Sequence, residues 1–254
     1  MTEFLDSLNF LWELFKRDLN KKYYKSVLGV LWTLLNPLLM MLVMTLIFST
    51  LFRRSIEHYP VYYLCAYILL NFNNVATSQA LGCLPANGGL LRKIHVPAYL
   101  FCLSTVAVNG FTLVLSLAPL LVVALFSGLP LTPWLLLVPF PLLYVLLFTT
   151  GLSLLLSTVG VFFRDMTYLY GIITTVWTYL TPMFYPLSIV PERFRFLWEL
   201  NPLYHYVEIL RDLVLYQVMP ASRTLLIATG YSLVFLSLGV WVFRRYQDRF
   251  YVHL

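Results

Sequence analysis

Charged residues are scarce in this sequence: Asp, Glu, Lys and Arg make up 11% of the 254 residues, whereas hydrophobic residues make up 60%. Soluble domains carry about 25% charged residues, because charge keeps their surface in contact with water. The composition therefore excludes an ordinary soluble protein. A helix that crosses a membrane needs about 20 mostly apolar residues, and charge-free runs of that length recur along the chain. The sequence predicts an all-α, polytopic membrane protein.

The apolar runs divide into six predicted transmembrane helices. The longest run, Val96 to Phe163, is too long for one crossing. Near its middle, residues 127–133 combine Ser, Gly, Thr and two Pro, which favours a turn between two helices. No shift in composition marks a second domain, so residues 1–254 are interpreted as one domain. The spans are expected near residues 30–53, 60–83, 99–126, 134–160, 166–187 and 223–243.

Residues that carry out catalysis are also missing from the predicted spans. No Gly-x-x-x-x-Gly-Lys-Ser/Thr phosphate-binding loop occurs, so any ATPase that drives this chain is expected to be a separate protein. Every Asp and Glu lies outside the spans, which argues against an ion-coupled carrier or an intramembrane enzyme. We therefore expect no catalytic residue, no metal site and no cofactor bound by this chain. The His and Cys residues, which show no metal-ligand spacing, are His58, His95, His205, His253, Cys65, Cys83 and Cys102.

The distribution of positive charge predicts the orientation in the membrane. Lys and Arg resist translocation and collect in cytoplasmic segments. Eleven of the 17 Lys and Arg residues lie on the side that holds both chain ends, so both termini are expected in the cytoplasm. The net charge of +6 does not indicate a nucleic-acid partner, because the cations border hydrophobic spans, where anionic lipid is the nearer partner.

Residues 1–25 are predicted to form an amphipathic helix at the membrane interface. Apolar and polar side chains alternate at helical spacing, so that each kind occupies one face. Basic residues in its second half suit the phosphates of lipids or of a lipid-linked anionic substrate, and they also suit an anchor that fixes topology. These lipid-phosphate candidates are Arg17, Lys21, Lys22 and Lys25.

The segment from Pro85 to Pro97 is predicted to be a compact, partly helical knob on the cytoplasmic side. Prolines bound it, and Asn87-Gly88-Gly89 favours a turn before a run of basic and apolar residues. A plain linker needs neither feature, so docking of a partner is one interpretation and a linker is the other. The candidate docking residues are Asn87, Leu91, Arg92, Lys93, Ile94 and His95.

The fifth predicted span carries a polar-aromatic face. Alternating steps of four and three residues bring these side chains to one side of a helix. Such a face is expected to turn away from acyl chains, toward water, another helix or a ligand. Because aromatic rings can stack on the apolar face of a sugar, a translocation path is one interpretation, and helix packing is the other. The candidates are Tyr170, Thr174, Trp177, Thr181 and Phe184, with Tyr185 beside them.

The second predicted span is unusually polar for a helix among lipids. We expect its polar residues to face protein or water, because hydrocarbon offers them no hydrogen-bond partner. The wall of a conduit is a further interpretation. The residues are Asn71, Asn73, Asn74, Thr77, Ser78 and Gln79.

The long segment between the fifth and sixth spans, residues 188–222, is predicted to fold back into the outer leaflet. Pro191 to Trp198 and Leu203 to Val218 are expected to be short re-entrant helices split at Asn201-Pro202. These helices either close a pore on the outside or lie at the interface as an aromatic belt. The gate candidates are Phe194, Trp198, Tyr204 and His205.

Several motifs together resemble one protein family. They are Arg17-Asp18-Leu19 followed by Tyr24 to Trp32 and Asn36-Pro37-Leu38, then Leu91 to Pro97, Val161 to Asp165, and Thr181 to Asp212. On these residues the chain resembles, nearly end to end, the transmembrane subunit of type-2 ABC exporters. The nearest group comprises the bacterial exporters of O-antigen, capsule or teichoic acid chains.

The resemblance implies a homodimer with a central channel in the bacterial inner membrane. It implies an interface helix at 1–25, spans 1–5 within 26–187, periplasmic gate helices within 188–222, and span 6 with a cytoplasmic tail at 223–254. Residues 87–96 correspond to a coupling helix that contacts a separate nucleotide-binding subunit, which uses ATP and Mg²⁺.

The resemblance also implies the substrate, a polyprenyl-diphosphate-linked polysaccharide exported from cytoplasm to periplasm. A type-2 exporter of lipid, drug or polyol-phosphate polymer is the alternative within transport. A membrane-embedded enzyme that modifies glycans, or a scaffold, is the alternative outside it. The only cluster that such an enzyme could use is His205, Glu208, Arg211 and Asp212.

Overall fold

The computed structural model of the protein describes residues 2–24, 27–51, 56–93 and 96–250. Every regular element in these ranges is helical, which confirms the predicted all-α class. Short 3-10 turns occur at Pro133–Leu137, Leu187–Ile189, Glu192–Phe194 and Gln247–Arg249, and a π turn at Asp212–Tyr216. The α-helices of the described chain are α1 (Thr2–Tyr23), α2 (Leu31–Leu51), α3 (Tyr59–Ala86), α4 (Gly88–Leu91), α5 (Tyr99–Leu115), α6 (Leu117–Phe126), α7 (Pro139–Phe162), α8 (Met166–Leu180), α9 (Phe196–Glu199), α10 (Pro202–Arg211) and α11 (Ser222–Tyr246).

Four stretches of the described chain are long and apolar enough to cross a membrane. They coincide with the first, third, fourth and sixth predicted spans. α5 and α6 form one such stretch, interrupted at Ser116, whose hydroxyl donates to the Thr112 carbonyl at 2.9 Å. The stretches are Leu31–Phe48, Tyr99–Phe126, Pro133–Phe162 and Ser222–Arg249.

The second and fifth predicted spans fall short of that criterion for different reasons. α3 has 28 residues, which rise about 42 Å, but the amides and hydroxyls in its second half lower its hydropathy. α8 has 15 residues, which rise about 22 Å against a hydrocarbon core of about 30 Å. Pro182 ends α8 early, because it disfavours helical geometry at Thr181, whose φ and ψ are −89° and 129°. A six-span topology therefore stays a prediction.

α3 lies at the centre of the bundle and packs against α2, α5, α7, α8 and α10. Bulky residues on all of its sides, such as Tyr63 and Leu69, are fully buried. Its polar residues bond to neighbouring helices: Asn73 Oδ1 accepts from the Thr149 hydroxyl at 3.0 Å, and Asn74 Nδ2 donates to Thr178 at 3.0 Å. The expectation that these two residues face protein is confirmed.

Glycines allow α7 to lie directly against two other helices. A methyl group on Gly239 of α11 would collide with the Gly151 carbonyl of α7, and one on Gly160 with the Leu81 carbonyl of α3. Lipid tails are as apolar as the helix surfaces, so no hydrophobic effect drives helices together in a membrane. Close van der Waals packing at small residues stabilises the contact instead. These contacts fix α11 and α3 on opposite sides of α7.

α1 packs along α5, and its last turn lies beside the middle of α5. The Phe10 and Phe101 rings meet edge to face at 6.0 Å, and Leu14 is buried in a cluster with Leu91 and Phe250. We call the end of the bundle that holds this cluster the α1 end, and the end that holds α9 and α10 the α10 end. The last turn of α1 contacts residues about 15 Å along α5 from its start.

Candidate functional site

The lipid-phosphate candidates line two adjoining cavities at the α1 end. A cavity of about 280 Å³ lies between α1, α2, α3 and α5, and Lys22 is part of its wall. A second cavity of about 560 Å³ shares Lys22 and extends past Arg17 and Lys21 to Asn87. We call the two together the Lys22 groove. It connects the end of α3, next to the predicted docking segment, with the middle of α5.

Lys22 is held by neutral partners. Its ammonium donates to Thr112 Oγ1 at 2.8 Å and to Asn109 Oδ1 at 3.2 Å. Asn109 in turn donates to Gln79 Oε1 at 2.8 Å. Burial lowers the pKa of Lys22 from its usual 10.5, and the nearby Tyr23 hydroxyl opposes this shift more weakly. Within the described residues Lys22 forms no ion pair, so its charge is available to an anion.

The other basic candidates differ from Lys22. Arg17 Nε donates to Asp18 at 2.8 Å, and Asp18 also accepts from the Ser104 hydroxyl at 2.9 Å, so the charge of Arg17 is already balanced. Lys21 is exposed, as Lys22 is, and it lines only the larger of the two cavities. Lys25 lies outside the described residues.

Sequence reasoning missed the polar lining of this groove on the other helices. Asn36 of α2, Asn109 of α5 and Ser116 between α5 and α6 line the smaller cavity together with Asn71. Each is an isolated amide or hydroxyl in an apolar run, a signal for a residue that faces protein or a polar cavity. Which of them meet could not be read from the sequence, because they come from separate helices.

The predicted docking segment is a short helical turn fixed from beneath. Leu91, at the end of α4, is buried in the cluster at the α1 end, and the Asn87 amide donates to the Cys83 carbonyl at 2.7 Å. Arg92 and Lys93 are exposed. Ile94 and His95 lie outside the described residues. A fixed base with an exposed basic tip is suited to contact a partner.

The polar-aromatic face of α8 turns toward the same chain. The Tyr170 hydroxyl donates to Thr77 at 2.7 Å, and Trp177 Nε1 donates to Asn201 Oδ1 at 2.7 Å. Asn201 also donates to the Thr181 hydroxyl at 2.8 Å. Thr174 is partly exposed and donates to the Gly171 carbonyl at 3.0 Å. This face therefore bonds to α3 and to the residue before α10, and its role in translocation stays a prediction.

Phe184 and Tyr185 join an aromatic cluster beyond the end of α8. The Phe184 ring lies 5.7 Å from that of Phe48 and 6.1 Å from that of Tyr63. The Tyr185 hydroxyl accepts from Trp198 Nε1 at 3.1 Å, which joins this cluster to α9. The structure therefore brings path and gate candidates together at the α10 end.

The gate candidates lie on α9, α10 and the turn before them. The predicted break at Asn201-Pro202 is present, and Asn201 caps α10 by accepting from the Leu203 amide at 3.0 Å. Phe194 is exposed. Tyr204 donates to Glu208 at 3.0 Å, and His205 Nε2 lies 2.8 Å from the Glu199 carbonyl oxygen.

Arg211 is a buried cation at the end of α10. Nothing in the sequence indicated its burial. It donates to the carbonyls of Pro182 at 2.7 Å and Tyr62 at 3.2 Å, and its guanidinium carbon lies 3.4 Å from the centre of the Tyr62 ring. The Tyr62 hydroxyl donates to the Tyr185 carbonyl at 2.8 Å. These bonds satisfy the irregular backbone that follows α8.

Three members of the cluster His205, Glu208, Arg211 and Asp212 bond to separate partners. Arg211 and His205 bond to different backbone carbonyls, and Glu208 is occupied by Tyr204. Burial, together with the nearby Glu208 charge, raises the pKa of Asp212 to about 6. Within the described residues no three His, Cys, Asp or Glu side chains form a metal site.

Several known proteins are similar to this chain over most of its length. The family described as ABC-2 type transporter matches residues 9–215. The chain is similar to the O-antigen export system permease protein RfbA of Myxococcus xanthus, with 28% identity over 239 residues, 93% of this chain and 92% of the relative. It is also similar to the polysialic acid transport protein KpsM of Escherichia coli, with 25% identity over 251 residues and 92% of each chain. The capsule polysaccharide export inner-membrane protein CtrC of Neisseria meningitidis is 25% identical over 225 residues, 83% of this chain and 82% of the relative.

Proposed function

The chain belongs to the ABC-2 type transporter family, and from this premise we propose that it is the channel-forming subunit of an ATP-driven polysaccharide exporter. The substrate is a lipid-linked, O-antigen-like glycan that moves from cytoplasm to periplasm. Relatives named for export of O-antigen and capsule polysaccharide support this substrate class. An exporter of lipid, drug or polyol-phosphate polymer is the alternative. The protein is a multi-pass membrane protein, and in this proposal it lies in the bacterial inner membrane with both termini cytoplasmic.

The observation that carries the proposal is the Lys22 groove. A lipid-linked glycan presents phosphate between an apolar tail and a polar chain. Lys22 supplies a cation with no carboxylate partner in the described residues, and Asn36, Asn71 and Asn109 supply amides around it. Charge-assisted hydrogen bonds to phosphate contribute more than neutral ones, so this lining suits the phosphate better than it suits a neutral drug.

ATP hydrolysis belongs to a separate subunit in this proposal. The exposed tip of the segment at Arg92 and Lys93 is the contact, with Ile94 and His95 as its continuation in sequence. Because Leu91 is packed in the cluster at the α1 end and Asn87 lines the Lys22 groove, a push on this segment acts directly on the groove.

A homodimer completes the channel in this proposal. α2 and α8 each leave an apolar face exposed in the isolated chain, with Leu39 and Leu42 on α2 and Ile172 and Val176 on α8. A second copy covers these faces. The glycan then passes along the polar-aromatic face of α8 and the residues that follow it, namely Tyr170, Thr174, Trp177, Thr181, Phe184 and Tyr185. It leaves through the gate formed by Phe194, Trp198, Tyr204 and His205.

A complementation assay tests the proposed function. Cells that lack this chain are expected to accumulate lipid-linked polysaccharide inside, and the wild-type gene is expected to restore it at the surface. Internal accumulation of a lipid or drug, with normal surface glycan, would favour the alternative.

The same assay tests the path residues. Phe184→Ala and Trp177→Phe are expected to lower export at normal protein level, because the first removes a ring and the second removes the bond to Asn201. Tyr168→Ala is the control, because this ring is on α8 but is 80% exposed. If both path variants export as well as the control, the aromatic path is wrong while polysaccharide export can still hold.

A further inference from the structure

A third cavity at the α1 end shares no lining residue with the Lys22 groove. It has a volume of about 330 Å³ and is bounded by α5, α7 and α11. Tyr99 and Arg244 lie at one end of it, and Leu103, Leu154, Leu236 and Val240 form much of its apolar wall. We call it the Arg244 groove.

The shape of the Arg244 groove follows from how α7 and α11 pack. The two helices touch through Gly151 and Gly239, where no side chain fits between the backbones. Leu154, Leu236 and Val240, which lie within one turn of these glycines in sequence, line the cavity. The groove therefore lies beside a backbone-to-backbone contact of α7 and α11.

The length of the groove matches one leaflet. Leu236 and Arg244 are eight residues apart on α11, which corresponds to about 12 Å along the helix axis. Half of a hydrocarbon core of about 30 Å is about 15 Å. An acyl chain that enters beside Arg244 therefore contacts apolar side chains of the groove over most of the thickness of one leaflet.

The charge at the mouth is unbalanced. Within the described chain Arg244 forms no ion pair, and Arg245 and Arg249 follow it in the same exposed stretch. Asp248 is the acidic residue nearest to it in sequence, and it too is absent from the ion pairs. The Phe250 ring packs on that of Phe243 at 5.2 Å, which fixes the end of α11 and hence the mouth.

We propose that the Arg244 groove binds an anionic glycerophospholipid, with one acyl chain along α11 and the phosphate at Arg244. Basic pockets between transmembrane helices are typical sites for anionic headgroups. The apolar wall alone would accept a chain from any lipid, so Arg244 supplies the preference for negative charge. This site is separate from the proposed transport path.

Lipid retention by the purified full-length protein tests the proposal. The probes are phosphatidylglycerol and phosphatidylcholine with the same acyl chains, added in equal amounts in detergent, and native mass spectrometry counts the bound molecules. The wild type is expected to prefer phosphatidylglycerol about fivefold, the ratio that about 1 kcal/mol per basic residue gives. Arg244→Gln is expected to bring the ratio close to one.

Arg245→Gln is the matched control, because it removes the same charge one residue away without lining the groove. It is expected to keep the preference. Val240→Trp fills the groove and is expected to reduce retention of both lipids. Equal binding of the two lipids by the wild type, or equal loss in the Arg244 and Arg245 variants, would overturn the proposal. Because Arg244 is exposed, the Arg244→Gln variant is expected to fold normally. The experiment measures no transport, so its result is independent of the proposed function.

Discussion

Two cations of this protein bond to neighbouring helices, the buried Arg211 at the α10 end and the more exposed Lys22 at the α1 end, and their neighbours differ in kind. Arg211 is enclosed by backbone carbonyls and the Tyr62 ring, which cannot exchange partners without moving the chain. Lys22 bonds to side chains on the wall of a cavity, which can turn toward a ligand. A buried charge that bonds to backbone is part of the structure, whereas one that lines a cavity and bonds only to neutral side chains is available for binding.

Arg211→Met gives the largest expected effect. It removes two charge-assisted hydrogen bonds, to the carbonyls of Tyr62 and Pro182, each worth on the order of 1.5–3 kcal/mol, so we expect a loss of about 3 kcal/mol in unfolding free energy. Thermal unfolding of the purified protein in detergent measures it. Arg193→Met is the control, because Arg193 is exposed and lies over the ring of its sequence neighbour Phe194. If both variants unfold at the wild-type temperature, Arg211 does not stabilise this end.

Asp212→Asn tests the surroundings of Arg211 through pH. The pKa of Asp212 is raised from 3.8 to about 6. Between these two pH values the carboxyl is protonated in the folded state and ionised in the unfolded state. Stability contributed by the protonated form is present below pH 3.8 and is lost as pH rises toward about 6. Asp212→Asn is expected to remove this fall and to stabilise the protein by about 1 kcal/mol at pH 7, after allowance for its contact with water. Unfolding at pH 4 and pH 7 measures both; an unchanged pH dependence would contradict the assignment.

Lys22→Gln gives the smallest expected effect on stability and a clear effect on transport. The unfolding free energy is expected to change by less than about 1 kcal/mol, since its partners are uncharged and can bond to water in the cavity. Export is expected to fall about tenfold, the effect of losing one charge-assisted bond of about 1.5 kcal/mol to phosphate. Lys22→Arg is expected to retain most export. Lys16→Gln is the control, because Lys16 is exposed on the same helix and pairs with Glu13. A Lys22→Gln protein that exports normally would make Lys22 an anchor only.

Local sequence patterns predicted the elements well where proline or glycine sets a boundary. The turn at 127–133, the break at Asn201-Pro202 and the short turn after Asn87 are all present. The extent of α8 was less predictable: its apolar run continues to residue 187, but Pro182 ends the helix, and the irregular chain beyond it is tolerated because Tyr62 and Arg211 bond to its carbonyls. Those donors are distant in sequence, so periodicity carries no information about them.

The sequence by itself determined that this is an all-helical membrane protein. Charge is scarce and the apolar runs are long, so most of the surface must face lipid. It also determined which residues carry positive charge near the membrane. Only the tertiary structure decided that Lys22 meets Asn109 and that Arg211 meets Pro182, pairs separated by 87 and 29 residues. Each of these charges acquires its role from its partners, and helix packing brings those partners to it from elsewhere in the chain.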